Sequence, residues 1–409
     1  MAGGGGFGPV PTRGTPFVVP AALLVTPRRD RNVLFTVVLT TMILVGAGVM
    51  ALVLVASGAP GALVVGVLLA ALPVGPVVAA YLWLDRYEPE PLGLIGFALG
   101  WGAFVATAGA LILQLLDQVV FGTPATWSAA IVAPITEEAA KGLFVLLLLW
   151  WRRNEIDGIL DGIVYAGMVG VGFAFTENIL YLTSAYTGGD ELGAGGVGAA
   201  TTLFVIRGIF SPFAHPLFTA AIGVGVGVAV VTRSRLWRIA APVLGYLVAV
   251  TAHASWNASA FFGGGGAFVL TYVCAMVPAF LLVVCFAIWV RRREGQMLTR
   301  SLTDCANRGL VGHAEVPWLV RLPARRASRR YARSVGGTPA LKVMRKYQQE
   351  AIELGFLHDR FLRGTAPADF AQRGSGMVDR LNLLRPYVLY PRPAGGDFSH
   401  QGPHREGGR

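Results

Sequence analysis

Long apolar runs alternate with short polar connections along most of this chain. A helix of about 20 apolar residues crosses a bilayer. Eight runs reach that length, at roughly 33–56, 61–84, 92–116, 128–150, 160–183, 201–231, 239–262 and 267–290. The pattern predicts an all-α, polytopic integral membrane helical bundle with eight transmembrane helices. The sixth run is overlong and carries Pro212 and Pro216, so a kink, tilt or break is expected there.

Charges between the runs orient the bundle. Arg28, Arg29 and Arg31 precede the first run, and Arg86 follows the second. Arg152 and Arg153 follow the fourth, Arg233 and Arg235 the sixth, and Arg291 to Arg293 the eighth. The other four connections contain no Lys or Arg. Positive residues stay on the cytoplasmic side. Both termini are therefore expected in the cytoplasm, in a multi-pass protein of the plasma membrane.

Outside the runs the chain changes character. Residues 1–32 are rich in Gly, Pro and Arg and aperiodic, and read as a disordered cytoplasmic leader. They hold no short apolar segment with a small-residue cleavage site, so a cleaved signal peptide is not expected. Residues 33–290 form the membrane core and 291–409 a cytoplasmic tail. In the tail, Thr338 reads as an N-cap with Pro339 at the first helical position. Leu341, Met344, Ile352, Phe356 and Phe361 then line one side of a helix, broken or strained near Gly355. The stretch from about Pro391 is Pro/Gly-rich and expected to be disordered.

Composition removes the soluble alternative. Charged residues make up 14% of the chain and hydrophobic ones 54%, whereas soluble domains are about a quarter charged. The net charge of +11 belongs to the tail: residues 1–290 hold 12 basic and 13 acidic residues, and 291–409 hold 22 and 10. Beside a bilayer, such a tail is expected to meet anionic lipid head groups. It has no recognisable nucleic-acid motif, so no nucleic-acid partner is expected. Cys274, Cys285 and Cys305 are too few for a disulfide framework.

The core is not uniformly apolar. Ionisable groups inside a membrane cost about 2.5–3.5 kcal/mol or more each, so each needs a reason. Run four carries Glu137, Glu138 and Lys141; run five Glu177 and Asn178; run six Arg207 and His215; run seven His253, Trp256 and Asn257. At about 1.5 Å per helical residue, Glu138 lies roughly 15 Å from the outer end of its run, Glu177 roughly 9 Å, His253 roughly 14 Å and His215 roughly 21 Å. Four helices running in alternating directions thus place their polar groups in one layer, between the midplane and the outer leaflet.

Spacing adds chemistry. Lys141 is i,i+4 to Glu137 and i,i+3 to Glu138, so it reaches either carboxylate. Two His and one Glu from three helices suit a divalent first-row metal, zinc foremost, and a further Glu suits a general base. Each group also has a plainer reading. Glu137, Glu138 and Lys141 can clamp helices together. His253, Trp256 and Asn257 can hydrogen-bond between helices. His215 can satisfy a carbonyl freed by Pro216. Glu177 and Asn178 can be partly wet, and Arg207 can serve as a counter-ion. Their common depth favours a shared site.

Four ordered motifs carry a resemblance: Glu137-Glu138-Ala-Ala-Lys141, Phe173-Ala-Phe-Thr-Glu177-Asn178, His215 in Ala-His-Pro-Leu-Phe, and His253-Ala-Ser-Trp256-Asn257. Each stands on its own run. The set resembles the PrsW family of bacterial intramembrane proteases, within the superfamily of CAAX prenyl proteases and bacteriocin-processing enzymes. The loop Asp85-Arg-Tyr-Glu-Pro-Glu-Pro91 resembles that family too. The resemblance implies an intramembrane endopeptidase acting on a membrane protein substrate, such as a single-pass anti-sigma factor. It implies that Glu137 or Glu138 is the base, that Glu177, His215 and His253 bind metal or hold the water, and that Asn257 stabilises the oxyanion. Glu177 and Lys141 stand where prenyl proteases carry His and, one position later, Arg; both differences favour the PrsW branch.

Other intramembrane hydrolases lack support, since the chain has no His-Glu-x-x-His, Gly-x-Ser-Gly or Gly-x-Gly-Asp. Two rivals remain at this stage. One is a proton- or ion-coupled transporter using the same cluster as a relay, although no repeated halves are visible. The other is a catalytically silent scaffold.

Overall fold

The computed structural model describes residues 18–24, 32–56, 58–188 and 194–391. The predicted leader and the end of the tail lie largely outside these residues. All regular structure among them is helical. Seven helices are long and apolar enough to cross a membrane: α1 Val33–Ala56, α2 Pro60–Leu84, α3 Leu92–Phe121, α5 Ile159–Thr187, α6 Val197–Val231, α7 Arg235–Phe261 and α8 Gly264–Asn307. The remaining predicted run lies in α4, which is helical over 125–151 and carries Glu137, Glu138 and Lys141. Seven helices thus meet the apolar criterion and the eighth is set apart by its charge.

The ends of the helices differ from their apolar runs. α8 continues unbroken through 290/291 to Asn307, because Arg, Glu, Gln and Met are good helix formers outside a bilayer. The overlong sixth run breaks as expected. A π-helical stretch, Val205–Phe210, ends at Ser211, and the helix restarts as Ala214–Val231. Ser211 answers the break with two bonds to the Ile206 carbonyl, from N at 3.0 Å and from Oγ at 2.8 Å.

Helix α5 is the axis of the core. Its residues Leu160 to Ala174 are all buried, among Trp101, Phe144, Leu148 and Val226. Its glycines set helix spacing. A methyl on Gly162 would collide with the Gly223 carbonyl, and one on Gly170 would lie 2.7 Å from Pro216 Cα. The second contact seats α5 against the residue following His215. Close backbone approach of this kind is how membrane helices gain packing energy.

The described residues separate into two compact units. One comprises 28–301 with 356–370, and the other 302–355 with 371–391 and the short N-terminal segment. In the second unit, α9 Val316–Val320, residues 322–355 of α10 (Leu322–Leu362) and residues 371–384 of α11 (Phe370–Leu384) carry buried Val343, Met344, Tyr347 and Leu381. α10 is two helices meeting at Gly337, whose φ of 66° marks the break just before Thr338-Pro339. The predicted break at Gly355 is absent: the helix continues through it to Leu362. Burial of Leu354, Phe356 and Leu357 outweighs the roughly 1 kcal/mol that a helical glycine costs.

Candidate active site

The cluster starts from one helical turn of α4. Glu137, Glu138 and Lys141 are all buried. Lys141 Nζ lies 3.3 Å from Glu137 Oε2, 2.8 Å from Glu138 Oε1 and 3.1 Å from His215 Nδ1. It also sits 3.7 Å from the Phe173 ring centroid. One ammonium therefore joins two carboxylates on its own helix to an imidazole from α6. A buried charge stripped of such partners would be expensive.

Glu138 is saturated. Its Oε1 faces Lys141 and, at 3.0 Å, His253 Nδ1; its Oε2 accepts from Thr219 Oγ1 at 2.9 Å. Glu137 is held more loosely. Gln114 Nε2 approaches its Oε1 at 3.5 Å, and His253 Nε2 lies 3.8 Å from its Oε2.

A second part of the cluster is built on Glu177. His215 Nε2 lies 2.7 Å from Glu177 Oε2, and Arg207 Nη2 donates to the same oxygen. Arg207 Nε donates to Asn178 Oδ1 at 2.7 Å, and its guanidinium stacks over Tyr181 at 4.2 Å. The His215 and His253 rings lie 5.0 Å apart, and Phe218 stacks on His253 at 5.0 Å. Glu137, Glu138, Lys141, Glu177, Asn178, Arg207, His215 and His253 thus form one connected group from four helices.

Two predicted residues make other contacts. Asn257 Nδ2 donates to the Ala129 carbonyl at 2.9 Å. That carbonyl lies in the π-helical stretch Ser128–Val132, just before Pro134. Pro134 has no N–H to offer the preceding turn, and Asn257 supplies a donor there. Trp256 packs on Phe268 at 4.6 Å. Thr219 and Gln114 are contacts outside the quoted motifs, and Phe173 and Phe218 are motif residues to which the sequence assigned no role.

A metal was expected on Glu177, His215 and His253. Single ligand atoms of Glu137, His215 and His253 lie within 4.8 Å of one another. Two imidazole nitrogens and one carboxylate oxygen are a donor set typical of catalytic zinc with an open position. The donor types present therefore fit a divalent ion, with Glu137 in the group and Glu177 engaged by Arg207; His215, held by Lys141 at Nδ1 and by Glu177 at Nε2, would give up one of those contacts to bind it.

This polytopic membrane protein thus buries a carboxylate–imidazole–ammonium centre across its spans. The family described as PrsW family intramembrane metalloprotease matches residues 90–283. A protein named Protease PrsW from Geobacillus kaustophilus is 31% identical over 151 residues, covering 36% of this chain and 60% of that protein. Its namesake in Bacillus subtilis is 29% identical over 109 residues, covering 26% and 50%. That of Clostridioides difficile is 30% identical over 155 residues, covering 36% and 60%. The chain spans about half to three fifths of these curated relatives. No solved structure matches it. Over residues 90–283 the chain is similar to the PrsW family.

Proposed function

We propose that this chain is an intramembrane endopeptidase that cuts a membrane protein substrate. The observation carrying this reading is the convergence of Glu137, Glu138, Lys141, Glu177, His215 and His253 from four helices. The relatives bear the name of a protease, which supports hydrolysis over transport or a silent scaffold.

Roles follow from how fully each group is engaged. Glu137 is the general base, because its oxygens have the longer contacts. It takes a proton from water as the oxygen attacks the scissile carbonyl carbon. The peptide C–N bond then breaks, and the proton passes to the leaving nitrogen. Glu138 orients His253 through Nδ1, and Arg207 orients Glu177, which in turn holds His215. Lys141 balances the two α4 carboxylates. Through one oxygen Glu137 would join His215 and His253 in holding a divalent ion, zinc by donor type, which would supply Lewis acidity and acidify water, and its other oxygen is left to act as the base.

An apolar cavity of about 680 Å³ adjoins the centre and is lined by Phe218, Ala252, Trp256, Met276 and Val283. Phe218 lines the cavity and stacks on His253, which supports a substrate that is itself apolar. We read that substrate as a single-pass regulator such as an anti-sigma factor, cut toward the outer face. The protein is then a bacterial plasma-membrane protein with both termini cytoplasmic, its basic tail meeting anionic lipid. A reporter fused at Gly265 should read extracytoplasmic.

The test is cleavage of a labelled single-pass substrate by purified full-length protein. Glu137→Gln and His253→Ala should both be inactive while still folded. Normal cleavage by both variants overturns the proteolytic reading.

A further inference from the structure

The second compact unit carries an unusual run of charge. From Val316 to Gln349 the chain has nine Lys or Arg and no Asp or Glu. The first arm of α10 and the start of the second lie within this run, and Gly337 folds one arm back on the other; the second arm meets its first acid at Glu350. The closure needs no acid. Gln348 is fully buried; its Nε2 donates to Ser328 Oγ at 2.8 Å and to the Arg325 carbonyl at 3.3 Å. Its Oε1 accepts from Arg329 Nε at 2.6 Å.

Turning those groups inward leaves Arg321, Arg326, Arg330, Arg333, Lys342 and Arg345 exposed. Arg326, Arg330 and Arg333 are spaced by four and three residues, so they form one stripe along the first arm. The arms also bring like charges together. Burial, and then Arg345 on the opposite arm, both lower the pKa of Arg329. The first arm and the start of the second therefore hold positive charge against positive charge, the nearest acid on α10 being Glu350, which pairs with Arg380. Such self-repulsion is relieved by an anionic partner.

We propose that this helical hairpin is a preformed docking element for an anionic lipid surface, contacted through Arg326, Arg330, Arg333, Lys342 and Arg345. The inference rests on the reading of the tail as the lipid-facing part, and it is independent of proteolysis. A bilayer is favoured over a polynucleotide by connectivity. The hairpin follows α8, a membrane helix that itself carries Arg291, Arg292 and Arg293. Contact with the bilayer is thus intramolecular in effect, whereas a nucleic acid must be recruited from solution.

The experiment uses the full chain in nanodiscs, with Cys274→Ser and Cys285→Ser; Cys305 is buried. An environment-sensitive dye is placed at Ser334→Cys on the hairpin or, separately, at Ser375→Cys on α11. Both serines are exposed. The Ser334→Cys probe should shift when phosphatidylglycerol replaces part of the phosphatidylcholine, and the shift should vanish at high salt. In Arg326→Gln/Arg330→Gln/Arg333→Gln, docking should weaken by about fivefold per arginine with thermal stability unchanged. A response at Ser375→Cys alone overturns the hairpin and keeps a lipid-facing tail. No response at either site overturns both. A shift at Ser334→Cys driven by added RNA and indifferent to phosphatidylglycerol assigns the hairpin to nucleic acid and overturns the proposal.

Discussion

His253 addresses two adjacent glutamates with its two ring nitrogens: Nδ1 lies 3.0 Å from Glu138 Oε1, and Nε2 lies 3.8 Å from Glu137 Oε2. An ionised carboxylate only accepts, so the bond to Glu138 places the ring proton on Nδ1. Nε2 is then the ring nitrogen on the side of Glu137. Adjacent carboxylates on a helix point about 100° apart, and here that divergence gives them different partners.

Glu137→Gln and Glu138→Gln should therefore differ. Losing the base should cost the 10²–10⁴-fold typical of general acid–base catalysis. Losing the residue that orients a histidine should cost about 10–100-fold. Rates for the two variants on one substrate check this, and a larger loss in Glu138→Gln would reverse the assignment.

Lys141→Met should act first on stability. It leaves two buried carboxylates without their shared ammonium, a loss of about 3–5 kcal/mol by analogy with broken buried pairs. Lys141→Met/Glu138→Gln should regain part of it. Thermal unfolding in detergent gives the comparison; equal melting of both variants would show that Glu138 does not depend on Lys141.

Metal content gives a readout apart from activity. Purified wild-type protein dialysed against zinc should retain about one equivalent, and Glu137→Gln and His215→Ala should each retain less. Glu177→Gln should retain more than either, since Arg207 and His215 engage that carboxylate. Retention that tracks Glu177 in place of Glu137 would restore the ligand set expected from sequence.

The loop between α2 and α3 should make stability depend on pH. Burial pushes the Asp85 carboxyl up to about 8, with Asp161 adding to the rise and the Glu90 N–H opposing it. That N–H donates to Asp85 Oδ2 at 2.7 Å. The folded state then keeps a proton that the unfolded chain loses near pH 4. Stability is highest below that value, falls as pH rises toward about 8, and levels off above it. Melting temperatures across this range should decline in the wild type and decline less in Asp85→Asn.

The charged part of the site was legible because charge inside an apolar run has no cheap explanation. Glu137, Lys141, Glu177, Arg207, His215 and His253 stood out individually and proved to be in contact. Thr219 and Gln114 did not stand out. A hydroxyl or an amide in a membrane helix is ordinary, and only the packing of α6 and α3 on α4 shows which carboxylate each one serves. Asn257 has a structural partner that the sequence could not show. Its motif sits beside His253, yet the carbonyl it satisfies is left short of donors by Pro134 on another helix. The α10 break was half legible: Thr338-Pro339 marked the start of the second arm, while Gly355 carried the same residue type without the need for a turn.

The contact of Gly162 with Gly223 has a consequence for distant parts of the molecule. Gly162 lies fifteen residues from Glu177 along α5, about 22 Å at the helical rise. Because the two backbones touch, α5 and α6 behave as one girder with no play at that end. A single added methyl at Gly162 would wedge the girder open and reach Glu177 and His215 as a change of angle, without touching either. The spacing of the reactive groups is thus enforced by atoms that are missing.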